Sequence, residues 1–157
     1  MTYEEALHRA AAYCSQAEHC RLDVTGKLMK WGIEPEQQDL ILTYLEQENY
    51  LNEQRYALAF AHDKFRYNKW GKVRIRMELQ RKGIQTGVTE EALRSLDDDS
   101  YLAKATELAV AKLNKLHYSD HYERDGKLFR FLAGRGFEPA VVRKAIRQAT
   151  GGQQACD

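Results

Sequence analysis

RYNKWGKVRIRMELQRKGI, from Arg66 to Ile84, decides how the rest of the chain is read. It opens as a short loop, Asn68 to Gly71, and continues as a helix. Within that helix Val73/Met77 and Ile75/Leu79 stand at i,i+4, and Arg74/Glu78 offers a charge pair at the same spacing. Gly83 then stops the helix. With Gly83 as the left-handed residue after the last turn, Leu79 and Ile84 take the two positions whose apolar side chains meet in a Schellman cap. The alternation in VRIRMEL also fits a period of two, but the flanking loop and the glycine stop select helix.

The same order of residues occurs three times, as LMKWGI (28–33), LQRKGI (79–84) and LAGRGF (132–137). Gly32, Gly83 and Gly136 lie 51 and then 53 residues apart, since 83 − 32 = 51 and 136 − 83 = 53. Pro35 and Pro139 each follow their glycine by three residues, where proline suits the first turn of a new helix. Thr86 holds that place in the middle copy and is expected as an N-cap. Three matching caps point to an internal repeat. The expected fold is therefore all-α, an elongated tandem array of three three-helix repeats with about nine helices. The repeats are placed at 1–51, 52–98 and 99–150, with a frayed tail at 151–157.

Apolar residues at helical spacing fill in the elements. Ala6, Leu7, Ala10, Ala11 and Cys14 mark a first helix, from Tyr3 to about His19. Leu22, Val24, Leu28 and Trp31 mark a second. Leu40, Ile41, Tyr44 and Leu45 mark a third, reaching about Asn49. Tyr56, Ala57, Phe60, Ala61 and Phe65 open the second repeat, which Val88, Ala92, Leu93 and Leu96 close. Leu102, Ala105, Leu108, Ala109 and Leu113 open the third. A polar loop is expected from about Asn114 to Asp125. Leu128, Phe131 and Leu132, then Val141, Val142, Ala145 and Ile146, give the last two helices. A three-helix unit buries its apolar faces poorly alone, so neighbours should cover one another.

Composition excludes several classes. The chain has 157 residues, 30% charged, with a net charge of +1, so overall charge names no partner. The N-terminus MTYEEALHRA carries acids where a secretory leader needs bases, and no apolar run is long enough to span a bilayer. Three cysteines without CxxC spacing suit reduced thiols in a cytoplasmic protein. His117 and His121 have zinc-ligand spacing but lack the glutamate of HExxH, and read as two surface histidines. Cys14, His19 and Cys20 lie near one helix end without converging, and Cys14 reads as core. No phosphate loop or apolar-set carboxylate is present, so neither enzyme nor cofactor is expected.

Basic residues are the feature with functional pull. Lys64, Arg66, Lys69, Lys72, Arg74, Arg76, Arg81 and Lys82 fall between Lys64 and Ile84, with Glu78 as the sole acid of that stretch. Arg74 and Arg81 share a helix face, with Lys82 beside them and Arg76 about 200° round. Tyr67 and Trp70 sit among these bases. Such a surface neutralises phosphates and stacks on bases, whereas the plainer reading is a solvated helix face. The third repeat repeats the theme with Lys127, Arg130, Arg135, Arg143, Lys144 and Arg147.

Arg55 to Ile84 as a whole resembles the signature region of the RecX regulators. There an aromatic-alanine helix leads through a basic, glycine-containing loop to an RI..EL..KGI helix, matched here by Phe60, Ala61, Gly71, Arg74, Ile75, Glu78, Leu79, Lys82, Gly83 and Ile84. The flanks agree, and the likeness runs from about Ala6 to Arg147. It implies a non-enzymatic modulator that binds the RecA recombinase filament on single-stranded DNA. Such a protein restrains recombinase, ATPase and co-protease activity, with single-stranded DNA as a further partner, and is expected to act as a monomer. The contact set expected here is Arg66, Lys69, Lys72, Arg74, Arg76, Arg81 and Lys82, then Arg130, Arg135, Arg143 and Lys144. The rival reading is a stand-alone helical nucleic-acid-binding module. It is weaker because no Asn or Gln opens the basic helix for base readout.

Overall fold

The computed structural model describes residues 1–152, so the end of the expected tail, 153–157, lies outside the described residues. Among the described residues there are nine helices and no strand. They are α1 (Tyr3–Gln16), α2 (Arg21–Lys30), α3 (Pro35–Gln47), α4 (Glu53–Arg66), α5 (Lys72–Arg81), α6 (Thr86–Arg94), α7 (Asp98–Leu113), α8 (His121–Gly134) and α9 (Pro139–Ala149).

The three glycine stops form as the sequence predicts. Gly32, Gly83 and Gly136 have φ of 75°, 76° and 99°. At each, the following residue donates its N–H to the leucine five back: Ile33 to Leu28 at 3.0 Å, Ile84 to Leu79 at 3.1 Å, Phe137 to Leu132 at 3.2 Å. The glycine itself donates three back, to Met29, Gln80 and Ala133. All six apolar cap residues are buried, which joins each helix stop to the core. Asn49, at φ 61°, ends α3 in the same way, with Tyr50 donating to Leu45 at 2.8 Å; asparagine tolerates the left-handed region at modest cost.

A Cβ added at Gly83 meets nothing within 4 Å, so its constraint is φ alone. Gly83→Asn is accordingly expected to cost a few tenths of a kcal/mol and Gly83→Val about 2 kcal/mol. Thermal melts of the two variants check this; equal melting temperatures would contradict the cap.

Elsewhere the structure corrects the sequence reading. Thr86 is the first residue of α6, the register position of Pro35 and Pro139, and not its N-cap; the Gln85 carbonyl accepts from Thr89 N–H at 2.9 Å. Helix α1 ends at Gln16, before His19, and α3 at Gln47. On α2, Leu22 is exposed, and on α3 it is Leu42, not Leu40, that turns inward. The loop expected over 114–125 stops at Asp120, because Asp120 caps α8 by accepting from Glu123 N–H at 2.8 Å. The Glu123 carboxylate reaches back to Ser119 N–H at 3.1 Å and pairs with Lys127 at 2.9 Å. Asp120-x-x-Glu123 is a helix-start signal legible in the sequence, and it places His121, Arg124, Asp125 and Gly126 inside the helix.

The chain divides into two compact units, Met1–Phe60 with Glu78–Ala92, and Ala61–Met77 with Leu93–Asp157, the latter described through 152. In the first, Ala6, Ala10, Cys14, Val24, Leu28, Ile41, Leu42 and Leu45 form the core of α1–α3. In the second, Tyr101, Ala105, Ala109, Leu128, Leu132, Phe137, Val142 and Ile146 do so for α7–α9, with Phe65 packed against them. No helix among the described residues is long and apolar enough to cross a membrane.

Candidate functional site

The second unit holds the loop between α4 and α5, where the bases begin. Lys69 takes φ 59°, uncommon for lysine, and the next N–H, from Trp70, donates back to the Lys64 carbonyl at 3.1 Å. This turn brings the Trp70 ring within reach of two cations: Lys64 Nζ lies 5.1 Å from its centroid and the Arg74 guanidinium 4.3 Å. Cation–π contacts of this kind contribute about 0.5–1 kcal/mol each when partly exposed. Arg74 therefore serves Trp70, whereas Glu78, its expected partner, pairs with Arg81 at 2.6 Å. Arg66 and Lys69 are exposed and have no hydrogen-bond or ion-pair acceptor for their side chains among the described residues. Tyr67 beside them is 70% exposed.

What holds this loop still is the end of α8. Gly71 N–H donates to the Arg135 carbonyl at 2.8 Å and Val73 N–H to the Gly136 carbonyl at 2.9 Å. Lys72 N–H donates to the Tyr101 hydroxyl at 2.8 Å, and that hydroxyl donates to Glu138. Burial, then the Glu138 carboxylate, raises the Tyr101 pKa, keeping the hydroxyl protonated. The start of α5 is thus satisfied from outside the helix, by the carbonyls of Arg135 and Gly136, which follow α8, and by the Tyr101 hydroxyl. The junction also offsets an electrostatic cost, because the first turn of α5 carries Lys72 and Arg74 and no acid, the wrong sign for a helix N-terminus.

Other expected contact residues divide between surface and scaffold. The Arg135 guanidinium is a strut, donating to the Lys69 carbonyl at 3.3 Å and to the Asn68 carbonyl. Lys72 lies 4.8 Å from the Tyr101 ring centroid and 3.9 Å from Asp98. Arg76 is half-buried. Arg130, Arg143 and Lys144 are exposed on α8 and α9. In the first unit, Lys82 reaches Asp23 on α2 at 2.9 Å, while Arg81 remains exposed. Sequence reasoning did not find Tyr101, the buried hub of the junction, or the strut role of Arg135. Both depend on partners more than 25 residues away.

Asp23 gathers more than Lys82. Cys20 N–H donates to it at 3.4 Å, and His19 Nδ1 lies 3.6 Å away. His19 and the Cys20 backbone N–H thus meet one carboxylate, while Cys14 is a core residue. Burial raises both thiols, Cys14 to about 11, the opposite of what a nucleophile needs. Burial would also raise Asp23, but hydrogen bonds from Lys82 and Cys20 outweigh it and hold the carboxyl below its ordinary 3.8. The Lys82 ammonium is raised, first by the same hydrogen bond.

A depressed carboxylate stabilises fully above its unfolded pKa, and that stabilisation fades as pH falls through the folded value. A raised ammonium stabilises below its unfolded pKa and loses this as pH climbs through the folded one. Asp23→Asn is expected to cost about 1 kcal/mol near neutral pH. The difference from the parent should narrow as pH falls below 3.8, through the lowered folded value. Denaturant melts at pH 7 and pH 2.5 check it; a pH-independent difference would mean packing, not charge.

The loop thus presents cations and aromatics on a hydrogen-bonded backbone in an all-helical chain. Comparison with known proteins shows its family. Models of the second and third three-helix domains of RecX match residues 52–93 and 98–146. "Regulatory protein RecX" of Prosthecochloris aestuarii is 31% identical over 144 residues, covering 90% of this chain and 91% of that protein. The Clostridium botulinum (strain Eklund 17B / Type B) relative of the same name is 31% identical over 128 residues, but the chain spans only 59% of its length. The fold of the crystal structure of RecX from Lactobacillus salivarius is shared with a TM-score of 0.87 at 22% identity, over 94% of this chain and 96% of that one. The chain belongs to the RecX family, and with it comes a regulatory role.

Proposed function

We propose that this chain binds the RecA recombinase filament on single-stranded DNA and restrains its recombinase, ATPase and co-protease activities. The observation that carries the reading is the α4–α5 loop. Arg66 and Lys69 have no partner there among the described residues, Tyr67 is exposed, and Trp70 and Arg74 are in contact, all on a backbone hydrogen-bonded to the segment that follows α8. A preorganised cationic loop loses little side-chain and backbone freedom on binding, which favours docking on an anionic, repeating surface. Arg66, Lys69 and Arg74 form the principal contacts, with Arg143 and Lys144 in support. Lys82 and Arg135 act through the scaffold. We also infer three three-helix repeats, at 1–51, 52–98 and 99–150, as the units from which this surface is built.

Tyr67, exposed and next to bases, favours a second reading as a stand-alone nucleic-acid-binding module. Co-sedimentation with preformed recombinase filaments, beside naked single-stranded DNA at physiological salt, separates the two. Filament-dependent pelleting supports the first; equal, steeply salt-dependent binding to bare DNA supports the second.

A further inference from the structure

Helices α8 and α9 enclose an open cavity of about 670 Å³, within the range of small-ligand and peptide-anchor pockets. Its apolar lining comes from Phe129, half-buried, and Ile146, whose side chain belongs to the core; Tyr122 stands at the edge, 79% exposed. Two arginines line it as well, Arg130 from α8 and Arg143 from α9. Both are exposed, and neither has an ion-pair or hydrogen-bond partner among the described residues.

The cavity's acids are in a different condition. Asp120 accepts the Glu123 N–H as the α8 cap, and Glu123 accepts from Ser119 and Lys127. Those hydrogen bonds, Ser119 first, hold the Glu123 carboxyl at about 2. Asp125 accepts from the buried Arg124 at 2.9 Å. The carboxylates are thus committed to holding α8, while the guanidinium groups are uncommitted. The unmet demand of the cavity is for an anion beside an apolar group.

We propose that this α8–α9 cavity docks a short peptide segment of a protein partner, an aromatic or aliphatic anchor flanked by carboxylates. The anchor covers Phe129 and Ile146 with Tyr122 folding over it, and the flanking carboxylates take Arg130 and Arg143 in charge-assisted pairs. A nucleic-acid strand fits less well. Its phosphates would pass the carboxyl groups of Asp120, Glu123 and Asp125, whereas a peptide places its acid at the arginines alone. The site uses none of the principal contacts in the α4–α5 loop, and its test requires no filament, so either reading can fail without the other.

The probe is an acetylated, amidated peptide with a Phe-Leu anchor and Asp on both sides, titrated into the full, isotope-labelled chain while amide shifts are followed. Controls are the same anchor flanked by Lys, and an oligothymidylate. The expected result is saturable shifts centred on Tyr122, Phe129 and Ile146, binding weakened at least tenfold in Arg130→Glu and Arg143→Glu, and no comparable response to the Lys-flanked peptide. Both substitutions are at exposed, unpartnered positions, and an unchanged melting temperature confirms folding. Absence of shifts at millimolar peptide, equal binding of the Lys-flanked control, or selective response of these amides to the oligothymidylate would each overturn the proposal.

Discussion

Gly71→Ala is expected to lower the stability of the protein more than any other single added methyl, by about 4 kcal/mol or more. A Cβ on Gly71 would lie 2.3 Å from the carbonyl carbon and oxygen of Gly136 and 2.4 Å from Phe137 N, all backbone atoms that no rotamer change removes. Relief requires the α8 stop to move away from the start of α5. That breaks the hydrogen bonds from Gly71, which is buried, and from Val73. For a chain of this size the loss corresponds to a melting temperature lower by roughly 10 °C. A drop of less than about 2 °C would show that the junction yields easily and is not what stiffens the loop. The reciprocal change, Gly136→Ala, brings its Cβ 2.5 Å from Arg74 Cβ and adds a penalty from φ 99°.

Reversing Arg66, Lys69 and Arg74 together to Glu is expected to weaken filament association by about a hundredfold or more while leaving the fold intact. Three like-charge contacts replace three attractive ones, and like-charge juxtaposition at a docked surface costs several kcal/mol in sum. Folded stability should change little. Arg74→Glu forfeits the contact with Trp70 but places a carboxylate in the first turn of α5, where the helix dipole returns about 0.3–1 kcal/mol. Arg66 and Lys69 are exposed and unpaired, so their replacement should stay within about 0.5 kcal/mol. Co-sedimentation and inhibition of filament-driven ATP hydrolysis measure the effect, with circular dichroism as the fold control. Inhibition undiminished in a folded triple variant would reject this loop as the contact surface. Arg76 and Lys82 make poorer probes, since Arg76 is half-buried and Lys82 holds Asp23.

The two decisive glycines show how far the sequence can be read. Gly83 is legible because its constraint is local: Leu79, Gly83 and Ile84 stand in one short segment, and a left-handed residue with apolar neighbours on fixed sides is written into six positions. The helix count, the three stops and the proline starts follow from the same short-range terms. So does the cap at Asp120 and Glu123, although the tyrosines and acids around it look like loop.

Gly71 belongs to the other kind. Its backbone needs no special φ, and nothing within ten residues explains why a side chain is forbidden; the reason is the backbone of Gly136, 65 positions on (136 − 71 = 65). Tyr101, Arg135 and the unpaired arginines of the α8–α9 cavity are likewise invisible from their neighbours, because each acquires its role from elements brought together after the helices form. Helix ends obey interactions within a turn or two of chain, and residue order records these directly. Which end meets which, and which charges are left without partners among the described residues, is settled by packing between distant segments.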